Sequence, residues 1–215
     1  MNLNKYKSAV FDFDYTLADS SKGICECVSY ALSNMGHAIP SDEQICKTIG
    51  LSLPEVYYTF TKDDNPNASD TFRILFKQKA DLVMTKSTVL FDDVPEAIEF
   101  LHNNNIKCGI VSTKYRYRIL EVLKRDGLSE KFDIIVGGED VCTPKPDPEG
   151  LLKAILGLGI KKEECLYIGD SIVDAKTAIN AGVDFIGVLS GTTTREQFSN
   201  YPCIKIIEHL INLIS

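Results

Sequence analysis

The feature that most constrains this chain is a regular alternation of short apolar, β-rich runs with helical stretches. The β-rich runs are Ser8–Phe13, Lys107–Ser112, Asp133–Val136, Cys165–Ile168 and Asp184–Leu189. Such alternation is typical of βαβ units. Right-handed crossovers would place the strands in one parallel sheet with helices on both faces. The pattern therefore predicts an α/β fold.

One long interval breaks this rhythm, between the first run and the helix that Pro95 opens. It carries helical patterns throughout and no strand pattern. We therefore predict a small all-helical domain, residues 17–86, inserted after the first strand into a core domain of residues 1–16 and 87–215. An insertion at that point would cover any site that lies where the first strand ends.

Composition and charge narrow the class of partner. With 44% hydrophobic and 25% charged residues, the chain resembles ordinary soluble globular proteins. A net charge of -7 argues against nucleic acid or an anionic membrane as a partner, because clustered Lys and Arg bind those. No stretch approaches the ~20 apolar residues of a spanning helix, and we expect a cytoplasmic protein. An anionic substrate would then need a metal or a few focused cations.

Cysteine and histidine offer little chemistry here. The seven cysteines are scattered and odd in number, so we expect free thiols rather than a disulfide set. The three histidines lie in unrelated segments, which disfavours a histidine metal cluster or a His-based triad.

Polar groups follow the predicted strands at their carboxyl ends, where ligands bind in open α/β sheets. In chain order they are Asp12 and Asp14, then Ser112, then Lys145 between two prolines, then Asp170 with Asp174 one helical turn on. Because these ends meet at one edge of a parallel sheet, we expect the side chains to converge there.

The acidic residues of this set indicate a magnesium site. Asp12 emerges from an apolar run, where a carboxylate is costly to bury without a cation or hydrogen bonds. Asp14, two residues on, leaves the strand on the same side. Asp170 adds a third carboxylate, and three such groups repel one another unless a divalent cation joins them. An all-oxygen set with few protein ligands suits Mg²⁺.

The remaining groups favour a phosphorylated small molecule as the substrate. Bound Mg²⁺ would neutralise phosphate charge enough for a carboxylate to approach the phosphorus. Lys145 would add a second cation, and Ser112 a hydroxyl donor. Backbone N–H groups around Thr113 and Tyr15 would complete a phosphate cradle.

These motifs together resemble the haloacid dehalogenase superfamily, phosphatase branch. The segment Asp12-Phe13-Asp14-Tyr15-Thr16-Leu17 resembles its first motif, Ser112 its second, Lys145 its third and Gly169-Asp170-Ser171-Ile172-Val173-Asp174 its fourth. The helical insertion resembles the C1 cap of the family, and the chain is closest in character to phosphoglycolate phosphatase-like enzymes. The resemblance implies a Rossmann-like core, Mg²⁺ as cofactor, and a monomer or dimer.

The resemblance also implies roles for these residues. Asp12 would be the nucleophile, forming an aspartyl-phosphate, and Asp14 the general acid and base. Asp12, the Asp14 carbonyl and Asp170 would hold Mg²⁺, with Asp174 in support. The implied reaction is hydrolysis of small phosphate monoesters, such as phosphoglycolate or sugar phosphates.

Three further residues are candidates for substrate contact. Lys47, in the inserted segment, matches a place where related caps carry a basic residue facing the leaving group. Lys114 follows the second motif and would reach the mouth of the site. Tyr15 stands where Gly is frequent in the family, which predicts a stiffer or aromatic-lined turn.

Other functions stay open at this point. Asp14 favours phosphoryl transfer over dehalogenation, because the dehalogenases of the family lack it. Inorganic pyrophosphate hydrolysis remains an alternative, as does a β-phosphoglucomutase-like activity, although those mutases typically have two acidic residues where Gly169-Asp170 stands. A non-catalytic phosphate-responsive protein, resembling a receiver domain, is a fourth hypothesis, but receiver domains lack the helical insertion.

Overall fold

The computed structural model describes residues 5–214, which form two compact units. Within the described residues, one unit spans residues 5–18 and 90–214, and the other spans Asp19–Val89. Among the described residues, no helix is both long and apolar enough to cross a membrane.

The secondary structure contains eight strands and nine α-helices within the described residues. The strands are β1 Ser8–Phe11, β2 Ala18–Asp19, β3 Val89–Leu90, β4 Lys107–Val111, β5 Ile134–Val136, β6 Cys165–Gly169, β7 Asp184–Val188 and β8 Cys203–Ile207. The helices are α1 Ser21–Asn34, α2 Asp42–Cys46, α3 Leu53–Thr61, α4 Pro66–Ser87, α5 Val94–Asn103, α6 Arg116–Arg125, α7 Glu149–Leu158, α8 Ile172–Ala181 and α9 Arg195–Phe198.

Six strands of the larger unit form one sheet in the order β5-β4-β1-β6-β7-β8, and every pair is parallel. The first strand, β1, is fully flanked, with Ala9 opposite Cys108 on β4 and Leu166 on β6. Because all six strands run in one direction, their carboxyl ends lie along a single edge. Strands β2 and β3 form a separate two-stranded sheet.

Successive residues of β1 point to opposite faces of the sheet, and each face has its own core. Phe11 packs in the core that α5 and α6 contribute, with residues such as Ile98 and Val122. Val10 packs in the core that α7 and α8 contribute, with residues such as Leu151 and Ala178. Burial on both faces explains why the sequence of β1 is apolar without alternation.

The smaller unit is a helical bundle built from α1 to α4. Its main core joins α1, α2, α3 and α4 through buried residues such as Val28, Ile45, Tyr57 and Phe72. Gly23 allows α1 and α4 to approach closely, because a Cβ at that position would lie 3.0 Å from Met84 Sδ. The bundle therefore buries its own apolar face.

The predicted α/β class, a parallel sheet with helices on both faces, is confirmed. Two details were wrong. Strand β8 was not predicted, since it is an edge strand in which Lys205 interrupts the apolar pattern and most side chains are only partly buried. The inserted segment, residues 17–86, was predicted to be all-helical, yet β2 lies within it, and β3 follows shortly after its end. Two-residue strands are too short to give a periodic signal.

Candidate active site

The carboxyl edge of the sheet fixes the backbone of the predicted site residues. The N–H of Asp12, directly after β1, donates to Ile168 O at 2.9 Å. The N–H of Ser112, directly after β4, donates to Val136 O at 3.0 Å. Each bond extends the parallel ladder by one residue. The backbone from which these two side chains project is therefore held by the sheet itself.

Three carboxylates meet at this edge. One oxygen from each of Asp12, Asp170 and Asp174 lies within 4.8 Å of the other two. The residues are 2%, 4% and 0% exposed, so water does not screen their mutual repulsion. Asp14 is not in this group, and its side chain takes a different partner.

Lys145 brings a positive charge into the carboxylate group. Its ammonium lies 2.6 Å from Asp174 Oδ1 and 2.9 Å from Asp12 Oδ1. The contact with Asp12 is an ion pair outside hydrogen-bond geometry, because Asp12 Oδ1 is buried with no hydrogen-bond partner among the described residues. Lys145 therefore neutralises part of the cluster and leaves Asp12 with unmet acceptor capacity.

Asp174, by contrast, is fully engaged. Its Oδ1 accepts from Lys145 and, at 2.9 Å, from the Tyr167 hydroxyl. Its Oδ2 accepts from Ser171 N at 3.1 Å and from Ser171 Oγ at 2.5 Å, as part of the capping box that opens α8. Asp170 has a weaker partner, since its Oδ1 accepts from Thr16 Oγ1 at 3.3 Å.

The loop that carries Lys145 is tied down on both sides. Glu149 Oε2, in the first turn of α7, accepts from Cys142 N at 2.9 Å and from Thr143 N at 3.0 Å. On the other side, Asn180 Nδ2 of α8 donates to Pro146 O at 2.8 Å. These bonds fix the backbone before and after Lys145, so the buried ammonium does not depend on its flexible side chain alone.

Burial shifts the pKa values of these groups. Burial raises the pKa of Asp12 to about 6, although Lys145 opposes the rise. Burial, followed by the charges of Asp174 and Asp12, raises the pKa of Asp170 well above its usual range. Burial alone would lower the pKa of Lys145, but Asp12 and Asp174 together hold it well above its usual value. The cluster is therefore short of positive charge.

A divalent cation fits this arrangement. Asp12 and Asp170 are both buried with raised pKa values, and one oxygen of Asp12 has no hydrogen bond among the described residues, as expected for carboxylates that lack a cation. The donors are all oxygen, as Mg²⁺ prefers. Asp174 has its acceptor positions taken, so it suits the supporting place that the sequence predicted for it.

A second buried lysine sits beside Asp14. The Lys114 ammonium lies 2.7 Å from Asp14 Oδ1, and both side chains are less than 10% exposed. Ser112 Oγ accepts from the N–H of Lys114 at 3.3 Å, which holds the turn between β4 and α6. Lys114 was predicted to contact substrate from the mouth of the site. Its ammonium contacts Asp14, the predicted acid and base, and contact of Lys114 with substrate stays a prediction.

Tyr15 adopts a left-handed backbone conformation with φ of 62°, a conformation that glycine adopts more readily than residues with a side chain. Its N–H donates to Ala18 O at 2.7 Å, which closes a tight turn after β1. Its carbonyl accepts from the Ser190 hydroxyl. The turn is thus held by the loop that follows β7.

Two glycines allow backbone to approach the carboxylates. A Cβ at Gly169 would lie 2.5 Å from the Cβ and Cγ of Asp174. A Cβ at Gly191 would lie 2.0 Å from Asp170 Oδ2. Any side chain at position 169, including the second acidic residue of the mutase pattern, would therefore push Asp174 from its place.

Lys47 and Thr113 are the two other predicted substrate contacts. Lys47 directly follows α2 in the helical unit, and its ammonium forms an exposed ion pair with Glu43 at 2.7 Å. Thr113 is half-buried in the turn after β4, with its carbonyl against Gly138. For both residues, contact with substrate stays a prediction.

Several residues that shape the site were not among the predicted site residues. They are Thr16, Glu149, Tyr167, Ser171, Ser190 and Gly191. Ser190 and Gly191 could have been predicted from the sequence, because they follow the fifth predicted strand at the same edge of the sheet. Tyr167 gave no signal, since its place inside an apolar strand predicts only core packing.

Comparison with protein families is decisive about the class. The model of the family described as haloacid dehalogenase-like hydrolase matches residues 9–188. The chain belongs to this family. The matched range includes Asp12, Asp14, Ser112, Lys145, Asp170 and Asp174, whereas Ser190 and Gly191 lie just beyond it.

Individual relatives agree with this assignment. The hydrolase is 30% identical over 217 residues to pyrophosphatase PpaX of Listeria monocytogenes serotype 4a, with 98% of this chain and 96% of that protein covered. It is 28% identical over 210 residues to phosphoglycolate phosphatase of Salmonella typhimurium, covering 88% and 83%. A crystal structure from Bacteroides fragilis, described as haloacid dehalogenase-like, matches with a TM-score of 0.95 at 47% identity, covering 97% and 100%.

The predicted recognition, a phosphatase of the haloacid dehalogenase superfamily, is confirmed by these matches. The chain is an enzyme of the hydrolase class.

The anchoring of the Lys145 loop predicts a pH-dependent stability. The Lys153 ammonium, then the N–H groups of Thr143 and Cys142, lower the pKa of Glu149 from 4.5 to about 2. A depressed carboxyl pKa stabilises the fold above the unfolded value, and this contribution is lost as pH falls from about 4.5 toward about 2. Glu149→Gln should therefore lower the free energy of unfolding at neutral pH, and the difference from wild type should shrink below about pH 4.5.

Urea unfolding of both proteins between about pH 3 and about pH 7 measures this difference. Glu163→Gln, at an exposed position, is the matched control. A difference that stays constant across this pH range would contradict the anchoring role of Glu149.

Proposed function

We propose that this hydrolase is a magnesium-dependent phosphatase that cleaves small phosphate monoesters through an aspartyl-phosphate on Asp12. The observation that carries the proposal is the buried Asp12 oxygen that has an ammonium 2.9 Å away and no hydrogen bond among the described residues. A nucleophile must keep an oxygen that is not tied up by donors. Asp12 does, whereas Asp174 is saturated with donors.

In the first half of the reaction, a carboxylate oxygen of Asp12 attacks the phosphorus and the bond to the leaving oxygen breaks. Lys145 lies beside the attacking oxygen, so its charge attracts the phosphoryl group and balances the charge that gathers in the transition state. The buried setting strengthens this attraction, because little water screens it.

Asp14 is the proposed acid and base. It would give a proton to the leaving oxygen and then take one from the water that attacks the aspartyl-phosphate, releasing inorganic phosphate and restoring Asp12. Its position supports this role, because Asp14 follows Asp12 by two residues and its carboxylate pairs with Lys114 at 2.7 Å, outside the cluster of three carboxylates.

We propose Mg²⁺ as the cofactor, held by Asp12, the Asp14 carbonyl and Asp170, with Asp174 supporting from behind. When bound, it would neutralise phosphate charge and orient the phosphoryl oxygens. The fit rests on the shortage of positive charge around Asp12 and Asp170.

Two substrate classes are proposed. A small phosphate monoester, of the phosphoglycolate or sugar-phosphate kind, is favoured by the phosphoglycolate phosphatase among the relatives. Inorganic pyrophosphate is the second candidate, because the relative named pyrophosphatase matches 98% of this chain. A mutase activity is disfavoured, since position 169 has no room for a second acidic side chain while Asp174 keeps its place.

Phosphate release from a panel of phosphoglycolate, sugar phosphates, nucleotides and pyrophosphate tests the function. We expect release from one class in the presence of Mg²⁺, and loss of that release when EDTA removes the metal, with recovery on adding Mg²⁺ back. Release that persists in EDTA would contradict the metal requirement. No release from any compound by folded protein would contradict the phosphatase proposal.

Asp12→Asn should reduce turnover below about one thousandth of wild type, because an amide cannot act as the nucleophile. The melting temperature should not fall, since the change removes a buried charge that burial disfavours and Lys145 keeps its pair with Asp174. Steady-state kinetics and thermal melting measure the two effects. Asp126→Asn, which changes a carboxylate paired with Arg125 on the surface, is the control. Substantial residual activity of the Asp12→Asn variant would contradict the covalent mechanism.

Asp14→Asn should slow both half-reactions, by about 10²–10⁴-fold, because the variant has no group to donate or accept the proton. With an activated ester, whose leaving group needs no proton, the first step should recover and phosphoenzyme should accumulate. Rapid quench and intact-protein mass spectrometry detect the phosphoenzyme. If none accumulates, the role of Asp14 in the second step is unsupported.

A further inference from the structure

Tyr167 is a buried hydroxyl group that the proposed reaction does not use. It lies on β6, is fully buried, and its ring packs in the core between the sheet and helices α7 and α8. Its hydroxyl reaches the carboxyl edge, where it lies 2.9 Å from Asp174 Oδ1 and 3.3 Å from Lys145 Nζ. A third neighbour, Val111 O, is 3.4 Å away.

The direction of these hydrogen bonds follows from the donors available. Lys145 has only donors, so it donates to the Tyr167 oxygen. The hydroxyl has one proton, and the nearer and charged acceptor is Asp174 Oδ1. Burial and the charge of Asp174 raise the pKa of Tyr167 well above its usual value, so the proton stays on the oxygen. A directed chain results, from Lys145 through Tyr167 to Asp174.

This chain accounts for the orientation of the ammonium. Of the three N–H groups of Lys145, one points to Asp174 Oδ1 and one to the Tyr167 oxygen. The third remains for the side on which Asp12 lies. Without the Tyr167 hydroxyl, one N–H would lose its acceptor and Asp174 would lose a donor. Lys145 would then be drawn toward Asp174 and away from Asp12.

We propose that Tyr167 is a positioning residue, which holds the Lys145 ammonium toward Asp12 and the phosphoryl group by accepting one of its hydrogen bonds and donating to Asp174. This role rests on the proposed function, because it assigns Tyr167 to the service of a phosphoryl site. A phenylalanine would fill the same space in the core, so packing alone does not require the hydroxyl.

The test measures binding of orthovanadate, a phosphoryl-transfer analogue, by calorimetry in magnesium buffer. Tyr167→Phe should raise the Kd about five- to tenfold, the effect of one hydrogen bond of ordinary net strength. Lys145→Ala should raise it further. The double variant should bind like Lys145→Ala alone, because Tyr167 acts through Lys145. A merely structural effect would instead add to that of Lys145→Ala.

Two further variants separate position from stability. Tyr57→Phe removes another buried hydroxyl, one that donates to Asp63 at 2.7 Å in the helical unit, and should leave the Kd unchanged. Tyr167→Met also lacks the hydroxyl and should match Tyr167→Phe in Kd, even if it melts at a lower temperature. Agreement between these two variants assigns the effect to the hydroxyl.

Two results would overturn the positioning role and leave the phosphatase proposal standing. The first is an unchanged Kd for vanadate in Tyr167→Phe. The second is that Tyr167→Phe raises the Kd by the same factor in the Lys145→Ala background as in the wild type. Lys145-dependent vanadate binding without phosphate release from any substrate would overturn the proposed function instead. A wild-type enzyme that binds no vanadate would overturn both.

Discussion

The buried Lys145 ammonium is the interaction on which the rest of the site depends. A buried charge is costly unless it is paired and hydrogen-bonded. Here the compensation comes from Asp12 after β1, Asp174 on α8 and Tyr167 on β6. Burial of the ammonium therefore requires that residues from three separate elements lie within contact distance of it. The hydrogen bonds that Glu149 and Asn180 make to the backbone of the Lys145 loop hold the lysine in this position.

The unequal treatment of the carboxylates is the second consequence of this arrangement. Asp174 is saturated by Lys145, Tyr167 and Ser171, whereas Asp12 keeps an oxygen without a hydrogen bond among the described residues. A carboxylate whose oxygens all accept hydrogen bonds is a poor nucleophile, but it can hold neighbouring groups in place. A carboxylate with an oxygen that accepts no hydrogen bond is the better nucleophile. The division of labour thus follows from the distribution of donors. Residue type alone does not distinguish the two aspartates.

Much of the site was accessible from the order of residues. Asp12, Asp14, Ser112 and Asp170 come directly after apolar runs, Lys145 lies in the loop after the third predicted strand, and parallel strands bring such positions to one edge. Strand β8 was missed because an edge strand with a central lysine lacks the pattern of a buried one. The ion pair of Lys114 with Asp14 was missed for another reason, since a lysine near a helix start is usually solvated and only its depth reveals its partner.

The sequence by itself determined the α/β class, the helical insertion and the presence of acidic, basic and hydroxyl groups at the strand ends. These features depend on local sequence, because the spacing of apolar residues determines whether a segment forms a helix or a strand. The residue at which a strand ends determines which side chains lie at the edge of the sheet. Only the tertiary structure decided which charges pair, since pairing depends on distances between residues far apart in the chain. Lys145 donates to Tyr167 and Asp174, and Asp14 forms an ion pair with Lys114, because packing brings the elements that carry these residues together.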